Sequence, residues 1–437
     1  MDARSLIDEV PKLNPYKMYG KVTRVVGLTI ESKGPQASVG DLCHIIIGKR
    51  EKNKVKAEVV GFRDENVLLM PLHGTTDIAP GSLVEATGHP LEVKVGSGLV
   101  GKVIDGCGIP LDGSDLPKGL SSFPTDNNPP NPLERPRIEE AMSIGVRSID
   151  SLLTVGKGQR VGIFAGTGVG KSTLLAMIVK NSSADLNVIA LIGERGREVK
   201  DFIERDLGPE GLKKTILVVA TSDQPALMRI KGAMTATAVA EYFRNQGLHV
   251  NLMMDSVTRF AMAQREIGLA VGEPPTTKGY TPSVFALLPK LLERSGTNQS
   301  GSITAFYTVL VDGDDLNEPI SDSVRGILDG HFVLDRKLAN KGQFPAINVL
   351  KSISRVMNDI VSPEHRQAAD TLRKLLAAYY ESEDLINIGA YKRGSSREVD
   401  RAIQAYPKIV AFLKQQTDEN VHLEDAVKSL IDQFGGG

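Results

Sequence analysis

Four nearly unbroken apolar runs, residues 161–164, 188–192, 216–220 and 250–254, alternate with three stretches of helical character, 172–180, 198–207 and 225–244. A strand with one solvated face alternates apolar and polar residues. A strand that is apolar throughout must be covered on both faces. Strands of this kind separated by helix-length segments connect by right-handed crossovers, so the pattern predicts a mostly parallel, buried sheet with helices on both sides. Two further strands are predicted at 302–311 and 331–334.

The flanks follow other rules. Residues 19–91 carry short β-type runs broken by glycine, with turn signals every 8 to 12 residues, which suggests a small barrel or sandwich. The basic run Lys49-Arg50-Glu51-Lys52-Asn53-Lys54 falls between two such strands and reads as a solvated hairpin tip. Residues 121–137 hold five prolines and read as an extended, sheet-poor connector. From about Pro363 the apolar spacing is helical: Ala368, Leu372, Leu375, Leu376 and Tyr379, then Leu423, Val427, Leu430, Ile431 and Phe434. The expected domains are 1–91, 92–362 and 363–437.

Composition bounds the function. Lys plus Arg is 52 and Asp plus Glu is 53, a net charge of -1, which argues against a dedicated nucleic-acid binder. Two cysteines, Cys43 and Cys107, cannot form a disulfide scaffold, and the seven histidines show no metal-ligand spacing. The first residues have no apolar h-region, and no run approaches the roughly 18 apolar residues of a membrane span, so a cytoplasmic location is expected.

Ala165-Gly166-Thr167-Gly168-Val169-Gly170-Lys171-Ser172 follows the 161–164 strand and opens a helix. This is the phosphate-binding P-loop pattern, with Ala in place of its first Gly. Small residues let backbone N–H groups curl around a phosphate, and the helix N-terminus adds partial positive charge. Lys171 would reach the β- and γ-phosphates of ATP, the Ser172 hydroxyl would ligate a bound Mg²⁺, and Thr173 beside it is a further nucleotide-binding candidate. Asp255 ends the run 250–254; a carboxylate at the C-terminal end of a parallel strand faces the ligand crevice, which makes Asp255 the second metal-side candidate. Glu194, after the strand at 188–193, is the candidate to orient an attacking water.

The P-loop, Gly193-Glu194-Arg195 and the Asp255 strand resemble the catalytic β subunit of rotary ATP synthases. Residues 131–140, 144–150, 282–286, 305–315 and 383–391 narrow the likeness to the ATPases of type III protein export, over nearly the whole chain. Residues 19–35 resemble the flagellar branch more than the virulence branch. The resemblance implies a RecA-like α/β P-loop ATPase core with an N-terminal β-barrel and a C-terminal helical domain. It implies that Phe344 packs on the adenine, that Tyr391 is the second aromatic of that clamp, that Arg355 is an arginine finger completing the adjacent subunit's site, and that Arg195 lies near the active site.

A chain carrying both Glu194 and Arg355 holds both halves of an interfacial site, which favours a homohexamer. Implied partners are an export-apparatus regulator docking the N-terminal helix at residues 6–10, and a stalk-like protein at the loop 276–281 around Lys278. Export substrates and chaperones are implied at the C-terminal helices, with the chain held peripherally at a membrane export gate. Other functional classes are a virulence-type export ATPase, a subunit of a rotary ion-translocating ATPase, a ring-shaped nucleic-acid translocase, and a noncatalytic nucleotide-binding scaffold.

Overall fold

The computed structural model describes residues 18–48, 53–74, 77–311, 313 and 315–435. The N-terminal helix expected at 6–10, residues 49–52 of the basic run, and Asp312 and Asp314 lie outside the described residues.

Six strands, β1 (Tyr19–Val26), β2 (Thr29–Lys33), β3 (Asp41–Ile46), β4 (Lys54–Arg63), β5 (Asn66–Pro71) and β6 (Leu83–Pro90), close in the order β1-β2-β5-β4-β3-β6. The choice between barrel and sandwich is thus settled as a closed antiparallel barrel, which leaves no free edge. Its inward residues, among them Val22, Ile30, Ile45, Val59 and Leu69, form a separate small core. A two-stranded ribbon follows, β7 (Glu92–Val95) with β9 (Ser121–Pro124). The proline-rich connector is therefore not wholly sheet-poor: its first four residues pair before Pro129 and the later prolines remove backbone donors. From the same connector the guanidinium of Arg135 donates to the carbonyls of Ser295, at 2.9 Å, and Glu293.

The main sheet gathers β8 (Val103–Asp105), β12 (Arg160–Ala165), β13 (Leu186–Ile192), β14 (Thr215–Ala220), β15 (His249–Asp255), β17 (Ser302–Leu310), β18 (Gly330–Leu334) and β19 (Ile353–Ser354). The order is β19-β18-β12-β17-β15-β13-β14-β8, with β16 (Gly296–Thr297) paired to β17. A hairpin of β10 (Ala141–Met142) and β11 (Val155–Gly156) stands apart. Every residue of β13 is buried. Val188, Ala190 and Ile192 face one apolar layer, with the helices Ala226–Asn245, Val257–Val271 and Pro282–Leu292. Ile189 and Leu191 face the other, with the helix Lys171–Asn181 and the C-terminal helix Pro363–Asn387. The apolar-on-both-faces pattern of the sequence is this double coverage.

The C-terminal region is three helices, Pro363–Asn387, Arg397–Leu413 and Leu423–Phe434. The first starts where Pro363 takes the first helical position and the Ser362 hydroxyl accepts from the His365 N–H at 3.2 Å. Its partner helix packs through stacked Tyr379 and Tyr406 rings, 3.6 Å between centroids. Among the described residues no helix is long and apolar enough to cross a membrane.

Candidate nucleotide site

The site lies where β12, β15 and β13 end together. Ala165 is the last residue of β12, in extended backbone, so the position usually held by the first P-loop glycine needs no left-handed conformation here. Gly168 and Gly170 do need it, with φ of 76° and 90°. Gly166 and Val169 are buried, Thr167 and Gly168 exposed, and Gly170 turns the chain into the helix Lys171–Asn181. Ser172 and Thr173 are exposed in its first turn, beside the free N–H groups of the helix end.

Lys171 does not point into solvent. Its Nζ donates to Asp255 Oδ1 at 2.5 Å and lies 3.7 Å from Glu194 Oε1. Burial works against the ammonium, but the two carboxylates outweigh it and hold the Lys171 pKa above its ordinary value. Asp255 is placed by register: Leu191 of β13 is level with Asp255, and Met254 is level with Tyr307 of β17. The next residue of β17 is Thr308, whose hydroxyl donates to Asp255 Oδ1 at 2.7 Å.

Glu194 follows a glycine with φ of 71°, and a Cβ on Gly193 would come within 2.8 Å of the Arg259 side chain. The Gly193 N–H donates to the Ala220 carbonyl at 2.7 Å, and the Glu194 carbonyl accepts from the Ser222 N–H at 3.0 Å, so the backbone carrying Glu194 is tied at both ends. Glu194 Oε1 is buried with no hydrogen-bond partner. Burial, and then the charge of Asp255, push the Glu194 pKa up to about 7, while Lys171 pulls it the other way. A carboxylate with an unfilled acceptor, titrating near neutrality beside a phosphate-binding loop, can order and deprotonate a water.

The remaining expected residues divide. Phe344 is 46% exposed, and its ring lies against the P-loop, 3.5 Å from where a Cβ on Gly170 would stand. Tyr391 lies in the turn between the first two C-terminal helices, its hydroxyl donating to the Ser396 carbonyl and to Asp400 Oδ1 of the second helix, both at 3.0 Å. The segment that meets Phe344 is at Gln415, whose N–H donates to the Phe344 carbonyl at 3.0 Å. Arg195 has its side chain 83% exposed, 3.9 Å from Glu198.

Arg355 follows β19, whose Ser354 pairs with Gly330 at the N-terminal end of β18. That is the opposite end of the sheet from the P-loop, and β19 is five strands from β13 in the sheet order. At about 4.8 Å per strand, Arg355 and Glu194 are separated across the sheet by roughly 24 Å in one chain. Arg355 is exposed, its backbone N–H donating to the Asp329 carbonyl at 2.9 Å. The loop 276–281 holds Lys278 at a φ of 51°, with its Nζ 3.2 Å from Glu318.

Two residues stand in the site without having been singled out from the sequence. Thr308 is fully buried in β17, a strand that also carries Ser302 and Thr304. Arg259, in the first turn of the helix Val257–Val271, lines a cavity of about 310 Å³ with Gly166 and Thr167, its Nε buried without a hydrogen-bond partner.

Comparison with known proteins agrees with this construction. Residues 145–354 match the nucleotide-binding domain of the ATP synthase alpha/beta family, residues 22–88 its beta-barrel domain, and residues 361–432 the C-terminal domain of the type III secretion ATPase EscN. The flagellum-specific ATP synthase of Bacillus subtilis is 69% identical over 100% of this chain and 99% of its own length. The type 3 secretion system ATPase of Sinorhizobium fredii is 49% identical over 97% of this chain and 94% of its own. The assembled ATPase EscN of the enteropathogenic E. coli type III secretion system superposes with a TM-score of 0.89 at 46% identity, covering 95% of this chain and 100% of that one. A second structure of assembled EscN, in complex with its central stalk EscO, gives 0.87. With barrel, nucleotide-binding domain and export-type C-terminal helices matched in one continuous chain, this protein belongs to the ATPase family of flagellar and type III export.

Proposed function

We propose that the chain hydrolyses MgATP in a homohexameric ring that energises flagellar protein export. The single observation that carries the chemistry is the buried Glu194 Oε1, without a hydrogen-bond partner and 3.7 Å from Lys171.

The N–H groups of residues 166–170 cradle the phosphates of ATP, and Lys171 exchanges Asp255 for the β- and γ-phosphates. Phe344 takes one face of the adenine; Tyr391, engaged with Asp400 and Ser396, is left out of the clamp. The residues fit a magnesium ion: the exposed Ser172 hydroxyl, with Thr173 next to it, and the Asp255 carboxylate released by Lys171 are hard oxygen donors. When bound, that ion neutralises charge on the β- and γ-phosphate oxygens. Glu194 orients a water in line with the γ-phosphate and accepts its proton. Arg355 comes from the neighbouring copy, because its own chain puts it at the far end of the sheet; Arg195, projecting outward, faces the same junction.

Flagellar export is preferred over virulence export because the relatives from Bacillus subtilis and Treponema pallidum, at 69% and 53% identity, are both flagellum-specific. The complex of EscN with a central stalk supports a stalk-like partner here, met at the loop around Lys278. A regulator at the N-terminal segment, chaperones and export substrates at the C-terminal helices, and attachment at the cytoplasmic face of the membrane beside an export gate complete the proposal.

The test is ATPase activity against protein concentration. Specific activity of the native chain should rise as rings form, and Arg355→Ala should flatten the rise by about 10³-fold or more at saturation. Activity independent of concentration, or an Arg355→Ala ring with native turnover, overturns the shared-site proposal.

A further inference from the structure

Thr308 is a fully buried hydroxyl in β17. It lies in β17, level with Ile163 of the P-loop strand and one residue beyond the Met254–Tyr307 pair. Its strand therefore lies between β12, which leads into the P-loop, and β15, which ends in Asp255, and Thr308 is fully buried.

Its hydroxyl has one proton and two acceptors within reach, Asp255 Oδ1 at 2.7 Å and the Met254 carbonyl at 3.2 Å. The nearer belongs to the carboxylate that pairs with Lys171, and a charge-assisted bond is the stronger one. Asp255 Oδ1 therefore has two partners, Thr308 and Lys171, and they differ in kind. Lys171 sits at the mouth of the P-loop on a flexible stem and leaves when phosphate arrives. Thr308 is paired with Ile163 of β12, in a strand flanked by β12 and β15, and stays.

We infer that Thr308 is the positioning residue for the metal-side carboxylate: its hydroxyl holds Asp255 in one orientation while Lys171 moves to the phosphates. This rests on the proposal that Asp255 lies on the metal side of the site. Before nucleotide binds, Lys171 shares the holding of Asp255 Oδ1 with the Thr308 hydroxyl. Afterwards it is the remaining side chain bonded to Asp255 Oδ1. A packing role would have the opposite signature, since valine fills the same volume and suits a buried strand.

The experiment measures the affinity of the full chain for a non-hydrolysable fluorescent ATP analogue in excess EDTA and again in excess Mg²⁺. The ratio of the two is the metal increment. Thr308→Val should lower the affinity in Mg²⁺ well beyond any loss in EDTA and cut the increment about tenfold, the scale of a hydrogen bond to a charged group. Thr308→Ser keeps the hydroxyl and should stay within twofold of the native ratio. An increment within twofold of native in Thr308→Val, or an equal loss in Thr308→Ser, overturns the inference. If Thr308→Val fails to fold, Thr308→Ala against Thr308→Ser makes the same comparison. Asp255→Asn separates the two levels: it should abolish the increment. Should it not, the metal-side role of Asp255 fails; should it do so while Thr308→Val does not, Thr308 alone is refuted.

Discussion

Two buried charge clusters lie in the same domain, and they are built in opposite ways. Arg294 and Glu241 are 1% and 2% exposed. Arg294 Nε and Nη2 grip the two carboxylate oxygens at 2.8 and 2.7 Å, and Nη1 donates to the Thr125 carbonyl at 2.9 Å. Asn127 adds a bond to Glu241 Oε2 at 2.8 Å. Each nitrogen of that guanidinium and each oxygen of that carboxylate has a partner. In the nucleotide site, Lys171 leans on Asp255, and Glu194 keeps a buried oxygen unfilled. A buried polar atom without a partner costs free energy, and a chain selected for stability alone would satisfy it. The saturated cluster fastens the proline-rich connector to the core. The unsaturated one keeps its bonding capacity for what arrives.

The contrast is broken most directly by removing the unfilled carboxylate. Glu194→Gln should lower ATP turnover by about 10²- to 10⁴-fold while nucleotide binding persists, because an amide of the same shape cannot take the proton. Steady-state hydrolysis and equilibrium binding on the same preparation decide it. Turnover within tenfold of native would mean that another group activates the water. The mirror experiment is Arg294→Met. It leaves Glu241 buried and charged, and should destabilise the domain by about 3–5 kcal/mol in chemical denaturation without weakening nucleotide binding to the folded fraction. Replacing Glu241 with Leu in the same chain should recover much of the loss. A loss below about 1 kcal/mol in Arg294→Met would place that pair among surface ion pairs in strength.

What the sequence revealed of this contrast follows from its physics. The P-loop is legible because Gly168 and Gly170 occupy conformations that other residues avoid, and Asp255 because a charge ending an apolar run must lie at a strand terminus. Thr308 is hidden because a β-branched residue inside a strand looks like any strand former; its meaning comes from register with Asp255, a pairing of distant segments. The place of β8 at the sheet edge beyond β14 is hidden for the same reason, its segment preceding the proline connector. Phe344 could be located by likeness, but its neighbour at Gln415 is set by how the C-terminal helices fold back, which no local spacing encodes. Whether Arg355 acts within its own chain or across a junction depends on strand order, and that too is a long-range property.

The smallest expected effect sharpens the comparison through pH. In the unfolded chain a glutamate titrates at its ordinary value of 4.5; in the fold, burial and the Asp255 charge raise Glu194 to about 7. Between those two values the folded chain binds the proton more tightly than the unfolded chain. Stability contributed by this group is therefore complete below pH 4.5 and is lost as pH rises through about 7. Glutamine carries no such proton. The nucleotide-free Glu194→Gln chain should diverge from the native one in this window, gaining relative to it as pH rises. At alkaline pH the gain is on the order of 1 kcal/mol once partial solvent screening is allowed for. Paired melting curves across the window measure the difference directly, since every other titrating group is common to both chains. A gap that does not change with pH, or one that favours the native chain on the alkaline side, would mean that the oxygen left open at Glu194 has found a partner after all.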